Sequence, residues 1–375
     1  MIRILLTICT LSLLWACHNG QPTGQKTSQA CDSTYTPRYA KGFSIDYFKG
    51  YKLIKINDPF DTIKAKQVVC VQMDSTVDIS NIKADSYLQM SNHRWVSLSS
   101  THISPATLLN LKRNIVAVAE PQYISDSTIL NGIKAGTIRN AGMAMAPDLE
   151  VILSVHPSFV MVSPFPDISY HQIVAAGIAV IPNASYMENS PLARAEWLIF
   201  TGALFNKEKD AIHQYNDIVN RYNSLKQLTL NIVNKPRLFS GSVYQGVWNT
   251  SKGGNYMSQY YKDAGADYIY KDKPGTGTLS LDYEQIYHDA AQIENWLFIV
   301  NYQGALTYDA IQQLDSRYAD FKAFKNKGII YTNSAYSLFF EQAEQRPDVV
   351  LADLIYALHP ELLPNYQPVY FQRLK

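Results

Sequence analysis

Residues 206–228 read NKEKDAIHQYNDIVNRYNSLKQL. Ile212, Tyr215, Ile218, Val219, Tyr222 and Leu225 recur at helical spacing, with Lys207, Glu208, Lys209, Asp217 and Arg221 between them. The pattern predicts one long amphipathic helix. Asn206 is a candidate N-cap, and Glu208 and Asp210 suit the positive end of the helix dipole. Pro236 bars much further extension. At 1.5 Å per residue the rod is about 35 Å long, enough to reach across a domain. Short β-like and helix-like runs alternate before it, and the same alternation resumes after it. A rod without Gly or Pro between two similar halves predicts a stiff connector.

Upstream, residues 95–100 (WVSLSS) read as a strand running into a polar loop, followed by a helix over 105–111 and a strand over 115–119. This βαβ pattern implies parallel strands with right-handed crossovers. Further strands are predicted at 159–162 and 178–181, and a helix at 191–205. Residues 43–56 alternate around Lys49-Gly50 and read as a β-hairpin. Downstream, strands at 237–241, 296–300 and 329–331 alternate with helices at 256–261, 283–291 and 348–358. Both halves are therefore α/β.

A chain of 375 residues with a formal net charge of +1 predicts two domains. Its balanced charge gives no basic patch for nucleic acid. The apolar run 4–16 has the size of a signal-peptide core and is too short to span a bilayer comfortably. It ends Leu14-Trp15-Ala16-Cys17, which resembles a bacterial lipobox, with Cys17 the lipidated residue. The alternative is an ordinary secretory signal, but the polar stretch that follows at once favours a tethered lipoprotein. The expected division is a signal segment 1–17, a flexible tether 18–40, a first lobe 41–205, a connecting helix 206–230 and a second lobe 231–375. Cys31 and Cys70 could pair in an exported protein.

One pattern occurs once per half: Asp148-Leu149-Glu150-Val151-Ile152 and Asp282-Tyr283-Glu284-Gln285-Ile286, each opening a helix that leads to an apolar strand. Asp is a good N-cap and Glu suits a first turn, so local stability accounts for either copy. Its recurrence at equivalent places also suits two exposed carboxylates docking a partner with two basic pockets.

With Trp95–Ser100, Asn140-Ala141-Gly142, the run 190–197 (SPLARAEW), Gly253-Gly254-Asn255, residues 264–268 (AGADY) and Asp282-Tyr283-Glu284, the chain resembles the substrate-binding lipoproteins of ABC importers, in the family of periplasmic cobalamin-, haem- and iron-siderophore-binding proteins. The resemblance covers about 95–358. It implies two Rossmann-like lobes with central β-sheets, a ligand cleft between them and a single long connecting helix that limits closure. It implies a monomer on the periplasmic side of the envelope, lipid-anchored, with no cofactor and no catalysis. The partners would be the chelate ligand, the membrane, and a permease with its ATPase, whose arginines would meet Glu150 and Glu284.

Ligands of open α/β sheets bind beyond the carboxyl ends of the strands. The candidate ligand contacts are Ser100, His102 and Phe165 from the first lobe, and Tyr244, Trp248 and Arg346 from the second. Trp and Tyr would stack on a planar or macrocyclic ligand, and Arg346 would pair with a carboxylate or phosphate on it. Trp248 could equally be core, and Arg346 could be taken by Glu341 or Glu344. Two alternatives are a free zinc, manganese or iron ion held by a cluster that includes His102, and a hydrolase using Glu150 and Glu284 as paired carboxylates.

Overall fold

The connector forms as one uninterrupted helix, Glu208–Thr229, burying Ala211, Tyr215, Ile218, Val219 and Tyr222 on one face. It starts two residues later than the sequence pattern suggests. Asn206 is not its N-cap but the stop of the preceding helix, Pro191–Leu204: it takes a left-handed φ of 55°, and the Lys207 N–H bonds back to the Gly202 carbonyl at 2.8 Å. That is the Schellman arrangement, in which Asn is the tolerated substitute for Gly. The two helices pack against each other, and the connector also packs on the helix Pro347–Leu358.

The computed structural model describes residues 30–61, 67–89 and 93–375, and from Cys31 onward they belong to one compact unit. The lipidation expected at Cys17 and most of the expected tether lie outside the described residues. The first lobe holds a five-stranded parallel sheet in the order Ala179–Pro182, Phe159–Val162, Trp95–Ser97, Ile115–Val118, Arg139–Asn140. Counted along the chain this is the order 5-4-1-2-3, with its switch between Trp95–Ser97 and Phe159–Val162. The second lobe holds the order Asp267–Tyr268, Arg237–Ser240, Asn295–Val300, Ile329–Asn333, Gln372–Arg373, all parallel except the last. Here the order is 2-1-3-4-5, with its switch between Arg237–Ser240 and Asn295–Val300. Both are doubly wound orders whose ligand crevice lies outside the strand ends at the switch.

An added five-stranded sheet precedes the first lobe: Ser33–Tyr35, Phe43–Phe48, Tyr51–Ile56, Gln67–Gln72 and Ser86–Leu88. Phe43–Phe48 and Tyr51–Ile56 form an antiparallel hairpin turning at Gly50, whose φ of 85° suits a residue without a Cβ. Two carboxylates, Glu196 buried and Glu188 half-buried, fasten this sheet to the lobe. Glu196, wholly buried, accepts from the Tyr35 hydroxyl and from the backbone N–H groups of Arg38, Tyr39 and Ala40, each at 2.8 Å. Glu188 accepts from the N–H groups of Lys41 and Gly42 and from Trp197 Nε1. The expected tether over 18–40 therefore gives way to fixed structure from Ser33, because a buried carboxylate left without these donors would be costly. Lys52, fully buried, pairs with Glu208 at the start of the connector. Cys31 and Cys70 are both free thiols, the second buried in its strand.

Candidate ligand cleft

The two lobes meet at the carboxyl ends of their sheets, around a narrow recess of about 50 Å³, or about 410 Å³ with its open mouth included. Thr101 lines it from the first lobe, Pro191 and Arg194 from the helix that leads to the connector, and Tyr256, Tyr260, Phe339, Phe340, Ala343 and Glu344 from the second lobe. Thr101 is placed by a tight polar turn after the Trp95–Ser97 strand: Ser99 Oγ lies 2.9 Å from the Thr101 hydroxyl and accepts its backbone N–H. Tyr256 opens the helix Tyr256–Asp263, capped by Asn255, whose side chain accepts from the Met257 N–H at 2.9 Å.

Arg194 forms the floor. Its Nη2 lies 2.8 Å from Glu344 Oε2, and its guanidinium sits 4.1 Å from the centre of the Tyr256 ring. Burial works against the charge, but Glu344 and Tyr256 outweigh it and hold the Arg194 pKa above its ordinary value. The recess thus offers aromatic faces and a neutralised ion pair. Beside it, Glu341 Oε2 accepts from the Ser125 N–H at 2.7 Å, a bond from the second lobe to the first. Burial raises the Glu341 pKa.

Of the six expected ligand contacts, Ser100 is half-buried in the short turn that also carries Thr101. His102 is a correction: it is buried at the first lobe's switch point, with Nδ1 3.2 Å from Ser97 Oγ and Nε2 3.5 Å from Ser163 Oγ. Burial pushes its pKa down to about 3, so it is a neutral bridge between two strand ends. Trp248 is a second correction. It has no exposed surface, packs among Phe239, Trp296, Tyr318 and Phe321, and donates from Nε1 to the Ser240 carbonyl at 3.0 Å. Alternation on the strand Val247–Ser251 turns it inward.

Phe165 lines a different and wider recess of about 1240 Å³, open mouth included, between the first lobe and the added sheet, facing Phe60, Pro59 and Tyr170. Tyr244 is 68% exposed, on the strand Ser242–Tyr244 that leads into a hairpin turn. Arg346 is exposed at the start of the helix Pro347–Leu358. Its charge acts on the phenols of Tyr366 and Tyr370, and it does not line the inter-lobe recess. Neither of its expected partners takes it, since Glu344 goes to Arg194 and Glu341 to the Ser125 backbone.

The sequence reading missed Arg194, Tyr256 and Phe340. The i, i+4 pair Tyr256 and Tyr260 on one helix face was the available signal. Tyr336 does not line the recess; its ring is 64% exposed yet pinned, because the Gly304 N–H donates to its hydroxyl at 2.7 Å. Among the described residues no three His, Cys, Asp or Glu side chains gather as a metal site.

Glu150 and Glu284 are both exposed, in the first turns of the helices Leu149–Ser154 and Tyr283–Ala290. The caps are the same bond twice: Asp148 Oδ1 accepts from the Val151 N–H at 3.0 Å, and Asp282 Oδ1 from the Gln285 N–H at 2.7 Å.

The family described as periplasmic binding protein matches residues 96–336. The chain belongs to the periplasmic binding protein family. It is a solute-binding protein of the ABC-importer type, with the two-lobed α/β architecture of that family. Two uncharacterized lipoproteins of Methanocaldococcus jannaschii are similar to it. One is 25% identical over 295 residues, 74% of this chain and 68% of the relative. The other is 23% identical over 283 residues, 73% and 71%. Among solved structures, the periplasmic heme-binding protein RhuT from Roseiflexus sp. RS-1 superposes with a TM-score of 0.56 at 18% identity, covering 72% of this chain and 100% of that one. The molybdate periplasmic binding protein MolA of Haemophilus influenzae gives 0.58 at 15% identity, covering 74% and 90%. These periplasmic binding proteins share the fold. The match begins at residue 96, so the added sheet lies outside it.

Proposed function

We propose that this periplasmic binding protein captures a metal chelate, an iron-siderophore, haem or cobalamin, in the inter-lobe cleft and delivers it to a membrane permease and its ATPase. It acts as a monomer on the periplasmic side of the envelope, held by lipid on Cys17, and Glu150 and Glu284 dock the permease. The observation that carries the ligand class is the recess at the meeting of two sheet ends, with Tyr256, Phe339 and Phe340 around an internally neutralised Arg194. Aromatic faces without an uncommitted charge suit the flat or macrocyclic body of a chelate. They do not suit a bare metal ion, which needs converging donor side chains. The lipoprotein names of the two methanogen relatives support the anchor.

Calorimetric titration of the purified chain with cyanocobalamin, haemin and ferric catecholate and hydroxamate siderophores tests the reading. One of these is expected to bind with a Kd of roughly micromolar or tighter. Binding of none of them, with tight binding of free zinc or manganese instead, would overturn it.

A further inference from the structure

The docking helices share more than a carboxylate. Their sequences, DLEVIL at 148–153 and DYEQIY at 282–287, place the same residue class at every position but one, where Val151 stands against Gln285. In each the Asp caps, the Glu is exposed in the first turn, and the Ile two places on is fully buried: Ile152 and Ile286 both have no exposed surface. Three residues after each Glu stands a large apolar side chain left in solvent, Leu153 at 41% exposed and Tyr287 at 40%. Residues i and i+3 neighbour each other on a helix surface, so each carboxylate and its apolar neighbour share one outward face. The Tyr287 ring is held in place, stacked on Tyr283 at 5.9 Å and 17° and edge-on to Phe321 at 5.7 Å.

A single exposed Leu or Tyr is ordinary and needs no account. The repetition does. The cap, the first-turn Glu and the buried Ile each serve the helix start, and helix propensity favours Leu but not Tyr, so it does not by itself put a large apolar residue at the exposed place in both copies. It nevertheless recurs beside the same carboxylate, in two lobes whose sheets have different strand orders. We infer that each docking point is bipartite, a carboxylate with an apolar knob. The partner is then a two-fold membrane permease carrying two equivalent recesses, each basic at one side and apolar at the other. The inference rests on the reading of Glu150 and Glu284 as docking residues. Contacts that surround an interface hot spot exclude water from it, so an apolar knob packed beside the carboxylate strengthens the ion pair there.

The test measures binding of the full lipidated chain, without added ligand, to its permease–ATPase complex in lipid nanodiscs, at several salt concentrations. Leu153→Ser with Tyr287→Ser is expected to weaken binding about tenfold or more while the salt dependence persists. Glu150→Gln with Glu284→Gln is expected to weaken binding and flatten the salt dependence. Leu153→Met with Tyr287→Phe should restore wild-type binding, which a specific role for the phenol hydroxyl would not allow. Unchanged affinity in the serine pair, with loss in the glutamine pair, overturns the bipartite surface and leaves the docking carboxylates standing. Unchanged affinity in both pairs overturns the docking assignment as well. All variants sit on exposed positions, and matching thermal midpoints separate lost binding from lost folding.

Discussion

Arg194 and Glu344 face each other at 2.8 Å across the floor of the cleft, joining the helix that feeds the connector to the second lobe. The side chains are only 13% and 4% exposed, and Arg194 Nε has no hydrogen-bond partner. The pair therefore holds the lobes in register more than it adds net stability. Arg194→Ala or Glu344→Gln alone should destabilise the fold by about 3–5 kcal/mol, because the surviving group is left buried and unpaired. Arg194→Met with Glu344→Met should recover most of that loss. Urea unfolding of the three variants checks this; a double variant no better than the singles would show that the charges themselves are required.

The connector Glu208–Thr229 contains neither Gly nor Pro, and bending a continuous helix breaks its hydrogen bonds. Ligand-free and ligand-bound forms should therefore differ by a small lobe rotation. Small-angle scattering with and without the bound chelate measures it. A large clamshell closure would contradict the stiff connector.

Acid should weaken the fold through its buried histidines. Burial lowers the pKa of His102, to about 3, and those of His93 and His359. Each is neutral when folded and takes a proton near pH 6.5 when unfolded. The stability each contributes is complete above pH 6.5 and falls by about 1.4 kcal/mol per pH unit as acid is added, until the folded group also protonates. Glu341 and Asp353, raised by burial, work in the opposite sense as they take up protons in the folded state. His102→Gln should flatten the stability profile between pH 6.5 and 3. An unchanged slope would mean that another group governs acid unfolding.

Glu150→Ala with Glu284→Ala should leave ligand affinity and thermal midpoint nearly unchanged yet abolish uptake. Each helix loses a first-turn dipole interaction of about 0.3–1 kcal/mol. Loss of a desolvated docking charge would cost on the order of 2–5 kcal/mol. Transport assays beside calorimetry separate the two. Normal transport, or lost ligand binding, would show that these residues only start helices or belong to the cleft.

Cys17→Ala should release the protein from membranes or block its maturation, as read by fractionation of cells. One acyl chain is a marginal anchor, so stable retention of the natural protein implies at least two. Full membrane retention of the variant would overturn the lipid attachment.

The α/β class, the two halves and the connector were legible in the sequence because they rest on local periodicity. Helical spacing marks the connector, and βαβ alternation marks each lobe. The capped acidic helix starts were legible for the same reason, since Asp148 and Asp282 bond to N–H groups three residues away. Tertiary structure decided everything that depends on which face a side chain turns. Trp248 and His102 read from the sequence as cleft residues, and the packing of Phe239, Trp296 and Phe321 around the first, and the Ser97 and Ser163 hydroxyls beside the second, take each of them inside. Arg194 pairs with Glu344 across 150 residues, and Glu196 gathers the backbone of Arg38 to Ala40 from as far away. No local pattern encodes such contacts, because a buried charge selects its partners only after the lobes have come together and water has left.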